Sequence, residues 1–327
     1  MTERSEYSAT AMASPNIAFI KYWGNINEEL RLPVNGSLSM NLDGLATTTR
    51  IKFSPVFTED SLEINGNPIQ GVGLGRVKTV LNAIRADAGK PLFAMVSSEN
   101  NFPSGAGIAS SASAFAALAF AAVNALGMRV STERISRFAR LGSGSASRSV
   151  PDGFVEWFAG DSDESSFASS IAGADHWNLA DCVLVVSDGH KKTGSTEGHK
   201  LAASSPLQTA RVADAPRRIE ICRRAILERD FGQLTAIIQL DSDLMHAVMM
   251  TSQPALFYWT PETLRIIESV RNLQMGGLPV AYTIDAGPNV HLITELKNVE
   301  QVIKAVKNLD GIIQILRTRA GKGARLV

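Results

Sequence analysis

The stretch Asn100-Asn101-Phe102-Pro103-Ser104-Gly105-Ala106-Gly107-Ile108-Ala109-Ser110-Ser111-Ala112-Ser113-Ala114 decides the reading of this chain. A proline and two glycines run straight into Ser-Ser and an alanine-rich segment that continues to Leu126, so a loop opens directly into a helix. Such a junction suits anions: the first-turn N–H groups lack helical partners, the dipole is positive there, and two hydroxyls stand beside them. No lysine follows the glycines at the spacing a Walker A loop needs, so this is a phosphate loop of another kind. An ordinary helix cap uses the same residue types. A bilayer span is the other competing reading, because Ile108 to Leu126 carries no charge over nineteen residues. Alanine and serine dominate that run and neither flank carries a basic cluster, so it reads as a core helix lying close on a sheet.

A chain of 327 residues can bury a sizeable core, as one large domain or two intimately packed ones. Lys plus Arg and Asp plus Glu number 32 each, which leaves a formal net charge of zero and no basic field for nucleic acid. Cys182 and Cys222 are the only cysteines and lie far apart, so neither a disulfide framework nor a thiolate metal site is expected, in keeping with a reducing cytoplasm. Met1 to Ala11 holds Glu3, Arg4 and Glu6 and no apolar core, so no signal peptide is expected and the protein reads as soluble and intracellular.

Outward from the loop, Ala13 to Gly24 reads as a strand bounded by Pro15 and Gly24, with Asn16 and Lys21 as its polar interruptions. A lysine there is an edge residue or a charge aimed into a site. Leu32 to Met40 reads as a turn and strand, and Ala46 to Phe53 as another strand. Asn65-Gly66 marks a hairpin, and Val77 to Ala88 has helical spacing. Phe93 to Ser97 is a strand, and Ser131 caps a helix to about Leu141. Gly142-Ser143-Gly144-Ser145-Ala146-Ser147-Arg148-Ser149 is a poor helix interior. Its hydroxyls and guanidinium make either an oxyanion surface or a flexible linker, and the apolar strand Gly153 to Trp157 follows. A second group of elements begins near Asp181 with the buried strand Cys182 to Val186 and a polar loop from Lys191 to His199. Helices are expected over Pro216 to Asp230, Phe231 to Met245, Thr263 to Leu273 and Val299 to Asn308, with a strand over Ile312 to Leu316. Asp285 sits where the strand from Val280 breaks into a Gly-Pro turn, as a turn-former or a functional carboxylate. Strands and helices mix without regular βαβ alternation, which predicts an α+β layered fold.

Four blocks together resemble a known family: Asn16 to Gly24, Asn100 to Ser111, Gly142 to Ser145 with Arg148, and Ala281 to Asn289. They resemble the superfamily of galactokinase, homoserine, mevalonate and phosphomevalonate kinases, and within it the mevalonate diphosphate decarboxylases. The resemblance implies a two-layer α/β sandwich of the ribosomal protein S5 domain 2-like type, a ferredoxin-like C-terminal half and a deep cleft between them. It divides the chain into an ATP-binding part, residues 1–180, and a part completing the substrate site, residues 181–327. The implied reaction is ATP-dependent decarboxylation of a 5-phosphorylated mevalonate, with Mg2+ and a homodimeric assembly. Asp285 would lie near the C3 hydroxyl and Lys21 would neutralise the transferring phosphoryl group. Arg148 would hold the C1 carboxylate with Asn16 fixing it. Pro103, Gly105, Gly107 and Ala109 would cradle the nucleotide, and Ser110 and Ser111 its phosphates or magnesium. Tyr22, Ser143, Ser145, Ser195 and His199 would contact the substrate, whereas His246 and His291 read as structural.

The chain departs from the family's pattern at Gly36, where members usually read Ser, at Ser104-Gly105-Ala106 for Thr-Ala-Ala, at Asp152 for Gly and at His199 for Met. The last change falls at the substrate's phosphate end. Mevalonate 5-diphosphate is the default substrate and mevalonate 5-phosphate the competitor. A 3-kinase that keeps the carboxylate and a non-catalytic metabolite sensor are the further alternatives.

Overall fold

Tertiary packing fixes several element boundaries that local signals leave open. The computed structural model describes residues 6–102, 110–187, 189 and 193–327, so Pro103, Gly105, Gly107 and Ala109 of the anticipated loop lie outside the described residues. The chain begins with β1 (Tyr7–Ala13), β2 (Asn16–Ile20), β3 (Asn25–Asn27), β4 (Leu32–Pro33), β5 (Ser37–Asp43), β6 (Thr47–Ser54), β7 (Ser61–Ile64) and β8 (Asn67–Pro68). There follow α1 (Gly71–Ala88), β9 (Phe93–Asn100), α2 (Ser110–Ala125), α3 (Thr132–Gly142), β10 (Phe154–Trp157), β11 (Ala168–Ala172) and β12 (Leu179–Val185). The remainder is α4 (Ser195–Leu201), α5 (Gln208–Glu228), α6 (Phe231–Thr251), α7 (Pro261–Met275), β13 (Ala281–Thr283), β14 (Val290–Glu295), α8 (Val299–Val306), β15 (Gln314–Ala320) and β16 (Arg325–Leu326).

Two large sheets result, and the expected α+β class is what forms. The first has the order β16-β1-β6-β9-β7-β8. Asn65 and Gly66 join β7 to β8 with φ of 50° and 77°, the left-handed pair that the Asn-Gly signal calls for. The second sheet has the order β11-β10-β5-β15-β12-β14-β13, with β2 also paired to β5. It draws strands from both parts of the chain, since Leu42 and Asp43 of β5 lie opposite Ala320 and Arg319 of β15. The chain end also returns to the first sheet, where β16 pairs with β1.

α2 packs on β1 and β6 with Ala112, Ala116, Ala117, Ala119, Ala121 and Ala122 fully buried. Short side chains let the helix axis approach the strands, and Ser113 Oγ lies 2.6 Å from Thr47 Oγ1 of β6. The charge-free run is therefore a core helix, and among the described residues no helix is long and apolar enough to cross a membrane. α3 starts as read, with Ser131 accepting from the Arg134 N–H, and buries Ile135, Phe138 and Ala139.

Two segments differ from the sequence reading. α5 begins at Gln208 and carries Pro216 in its interior, although a proline reads naturally as a first-turn residue. The extra turns are held by buried polar contacts that local propensity cannot report, among them Gln208 Nε2 donating to the Trp23 carbonyl at 2.8 Å. The segment read as a polar loop up to His199 is, from Ser195, the helix α4, whose Gly198 packs against the Trp23 ring.

Ala117 lies one turn beyond Ser113 and is fully buried. Replacing it by Leu should overpack the helix–sheet contact and cost about 1–3 kcal/mol. Urea unfolding of Ala117→Leu beside the parent protein measures this as a lower midpoint.

Candidate active site

The functional side chains converge because β2 stops where a charge is needed. Its pairing with β5 shifts register between Ala18 and Ile20, and Lys21 leaves the sheet with its backbone polar groups unpaired by strands. Side chains satisfy them instead. Lys21 N–H donates to Asp241 Oδ2 at 2.6 Å, while its carbonyl accepts from Asn35 Nδ2 at 3.0 Å and from Arg211 Nη2 at 2.8 Å. Lys21 is 1% exposed, so of its two readings the charge aimed into a site holds. Nζ lies 2.7 Å from Oδ1 of Asp285, which is 28% exposed and faces the cavity. Burial alone would raise the Asp285 carboxyl, but the Lys21 ammonium, the Lys21 hydrogen bond and the Arg148 guanidinium outweigh it and hold it below its usual range.

Arg148 lies in the short 3-10 turn Gly144–Ser149 that follows α3. That segment is buried, which excludes the flexible-linker reading. Arg148 Nη2 donates to Asn16 Oδ1 at 3.3 Å and Nη1 to Ser37 Oγ, while Nε has no hydrogen-bond partner. Asn16 is fixed in turn by donating to Ser149 Oγ at 2.8 Å and to the Ser145 carbonyl at 3.1 Å. Burial pulls the guanidinium down to about 10, against the pull of Asp285, so it remains a cation at neutral pH. An unpaired donor on a buried guanidinium beside the cavity fits an incoming carboxylate.

Both readings meet in one cavity of about 350 Å³. Asn16, Lys21, Tyr22, Ser110, Ser111, Ser143, Ser145, Arg148, Ser195, His199 and Asp285 all line it, so every described residue expected at the site is there. Ser111, Ser143 and Ser145 form a chain of hydroxyls 3.2 Å apart that links the start of α2 to the Gly142–Ser149 segment. Ser195 and His199 come from α4. His199 stacks on Tyr22 and Trp23, with centroids 4.1 Å and 4.5 Å away, and its Nδ1 accepts from the Gly24 N–H at 2.9 Å. Gly24 reaches it at φ 101°, a conformation open mainly to glycine. Because Nδ1 is the acceptor, the neutral ring carries its proton on Nε2.

Sequence reasoning missed Arg31 and Arg76. Both line the cavity, and both also bind the last carbonyls of α3: Arg31 Nε donates to Leu141 O at 3.0 Å, and Arg76 Nε and Nη2 donate to Gly142 O at 2.9 and 2.6 Å. Burial and the neighbouring Arg31 bring Arg76 down to about 10. A lone arginine in a turn or a helix carries no pattern, and only the spatial convergence reveals it. Among the described residues, Lys21, Arg31, Arg76 and Arg148 against Asp285 give the lining four cations and one anion, a surplus of three positive charges suited to phosphates. Among the described residues no three His, Cys, Asp or Glu gather as a metal cage.

Two family models match the chain, the Diphosphomevalonate decarboxylase-like N-terminal domain over residues 13–168 and the Mevalonate 5-diphosphate decarboxylase C-terminal domain over residues 182–321. The chain belongs to the mevalonate diphosphate decarboxylase family. It is 38% identical to the Saccharomyces cerevisiae diphosphomevalonate decarboxylase, over 94% of this chain and 83% of that protein, and 39% identical to the Homo sapiens enzyme, over 93% and 81%. The mevalonate diphosphate decarboxylase structure from Staphylococcus aureus superposes with a TM-score of 0.94 at 35% identity, covering 99% of this chain and 98% of that one. A structure described as MDDEF in complex with MVAPP, AMPPCP and magnesium gives 0.92 at 38% identity, covering 99% of both chains. His246 and His291 are buried and do not line the cavity among the described residues. His291 Nδ1 lies 2.7 Å from Asp181 Oδ2, and His246 is buried against Trp259.

His199 and His246 are each pushed down to about 3, His199 by burial and the cations of Arg31, Arg211 and Arg148, His246 by burial and Lys21. Both are neutral in the fold, whereas the unfolded chain takes up protons below about pH 6.5. The unfolded state then binds more protons, so stability falls as pH drops from about 6.5 toward 3. Roughly 3 kcal/mol should be lost between about pH 7 and 5, about 2 from the fully buried His246 and about 1 from His199 after a discount for its partial solvent access. His199→Gln should remove about a third of that slope, read from urea midpoints across the range.

Proposed function

We propose that this chain catalyses ATP-dependent decarboxylation of mevalonate 5-diphosphate to isopentenyl diphosphate, with release of ADP, phosphate and carbon dioxide, in isoprenoid synthesis. The observation that carries the reading is the close meeting of an ionised carboxylate, its buried lysine partner and an arginine with an unpaired donor in one cationic cavity. Residues 1–180 would hold the nucleotide at α2, and residues 181–327 would complete the substrate site with Ser195, His199 and Asp285. The same reading carries a cytoplasmic homodimer, which sedimentation of the purified protein tests.

Asp285 accepts a hydrogen bond from the C3 hydroxyl and directs its oxygen at the γ-phosphorus. Its lowered pKa makes it a weak base. That suffices, because phosphoryl transfer passes through a loose transition state in which orientation and charge stabilisation dominate. Lys21 faces the transferring oxygens and spreads their charge. Magnesium, when bound, neutralises charge on the nucleotide phosphates. Arg148 and Asn16 hold the C1 carboxylate so that its breaking C–C bond aligns with the departing C3 phosphate. Phosphate leaves C3 with the C–O bonding pair, the C1–C2 bonding pair becomes the C2–C3 double bond, and carbon dioxide leaves, a step that asks for positioning rather than acid–base help. The charge surplus from Arg31 and Arg76 favours a diphosphate over a monophosphate at the far end.

Incubation with ATP, magnesium and each of mevalonate, its 5-phosphate and its 5-diphosphate should yield equal ADP and carbon dioxide from the diphosphate. Equal products from the monophosphate alone would move the substrate assignment. ADP without carbon dioxide would make the protein a 3-kinase, and no product from any substrate would leave a sensor. Asp285→Ala should lower kcat by about 10²–10⁴-fold. Arg148→Gln should lower kcat/KM for the mevalonate ester by about 100-fold with little change in the KM for ATP.

A further inference from the structure

α6 presents Asp241, Ser242, Met245 and His246 on one helical face, and that face lies under the catalytic pair. Asp241 is fully buried between two partners: Oδ2 accepts from the Lys21 N–H at 2.6 Å, and Oδ1 accepts from Arg218 Nε at 2.7 Å. Arg218, also fully buried, donates through Nη2 to the Arg211 carbonyl at 2.9 Å and through Nη1 to Asp214 at 2.7 Å. Arg211 closes the loop by donating to the Lys21 carbonyl. The next residue of α6 reaches the other half of the pair. Ser242 Oγ accepts from the Ile284 N–H at 3.0 Å, directly before Asp285, and lies 3.4 Å from the Ile284 carbonyl. One helix therefore grips the backbone at Lys21 and beside Asp285, although 264 positions separate those two residues in sequence.

We infer that Asp241 and Ser242 are positioning residues that set the separation of Lys21 Nζ and Asp285 Oδ1. The inference rests on the proposed roles of that pair. Lys21 departs from β2 and Asp285 stands past the end of β13, so no strand hydrogen bond fixes either backbone. A carboxylate is needed at position 241 because it must accept from a main-chain N–H and from a buried guanidinium together. Met245, one turn further on, lines the cavity floor. The consequence is specific: loosening either grip moves Lys21 away from Asp285 without touching any substrate contact.

The charged and titratable groups facing Asp285 are Lys21, Arg148, His291 and His246. Lys21 is the strongest of these in holding the carboxyl down, so its withdrawal raises the Asp285 pKa and moves the acid limb of kcat to higher pH. The test uses full-length Asp241→Asn and Ser242→Ala beside the parent protein. Expected are kcat losses of about tenfold for Ser242→Ala and more for Asp241→Asn, KM values for ATP and mevalonate ester within about twofold, and an acid limb displaced upward in both. Carbon-13 NMR titration of labelled aspartate carboxyls, assigned with Asp285→Asn, should show the same upward displacement whether or not turnover is measured. Folded variants whose Asp285 titration stays at the parent value would overturn the inference, as would an unchanged kcat. If Asp241→Asn gives no cooperative melt, Ser242→Ala alone decides, because a hydroxyl deletion leaves no charge unpaired. Failure of the parent protein to form ADP and carbon dioxide would sink the proposed function, and the NMR titration would still judge the positioning roles.

Discussion

A lysine buried to 1% exposure is the constraint on which the rest of the site depends. An ammonium group out of water must find a compensating charge, and Asp285 supplies it at 2.7 Å from the opposite end of the chain. That single contact requires β2 and the turn after β13 to be neighbours. Thr283 of β13 shows that they are, its Oγ1 donating to the Ala18 carbonyl of β2 at 3.4 Å. The pair cannot relax outward, because each backbone is tied to α6. A buried ion pair adds little to net stability, so its strength here lies in geometry: two groups of opposite sign are kept close and at a fixed distance, ready for a third, anionic group.

The alanine helix serves the same end by different physics. Alanine at the face of α2 buries little apolar area per residue, yet it lets the helix lie close on β1 and β6. Close approach brings Ser111 within 3.2 Å of Ser143, and through it Ser145, so the hydroxyls form one surface. Larger side chains would lift the helix and open that surface. The same residues that exclude a membrane span thus determine where the phosphate-facing end of the helix sits.

What the sequence revealed and what it hid follow from the range of each signal. The α2 run, the Ser131 cap and the Asn65-Gly66 turn are local patterns, and each appears where its chemistry predicts. Lys21, Arg148 and Asp285 were named through the four blocks that resemble the family, since their surroundings alone left each with a second reading as a surface charge, a linker residue or a turn-former. Arg31, Arg76, Arg211, Arg218 and Asp241 were not legible. Each lies in a turn or helix where a charged residue reads as solvated, and only the fold shows that Arg211, Arg218 and Asp241 are almost wholly buried. His199 was named through the family resemblance, but its packing was hidden: an imidazole in a polar segment resembles a solvent-facing one until Tyr22 and Trp23 close around it. The start of α5 was misplaced because Pro216 outweighs its neighbours in a local reading, whereas the buried Gln208 and Arg211 contacts outweigh Pro216 in the fold.

A formal net charge of zero conceals the electrostatics that matter most. Among the described residues the cavity lining carries four cations against one anion, so these five groups' excess of positive charge is balanced by negative charge elsewhere on the molecule. Low-dielectric walls concentrate the local field, and a polyanionic ligand responds to that field rather than to the distant sum. Arg31 and Arg76 are held by the carbonyls of α3, and among the described residues no carboxylate forms a salt bridge with either, so binding them to phosphate breaks none of the described ion pairs. Had Asp or Glu side chains fixed those arginines, the cavity would have been neutral and every phosphate would have had to displace a competitor. Tying cations to a helix C-terminus keeps them rigid while leaving their charge available to the ligand.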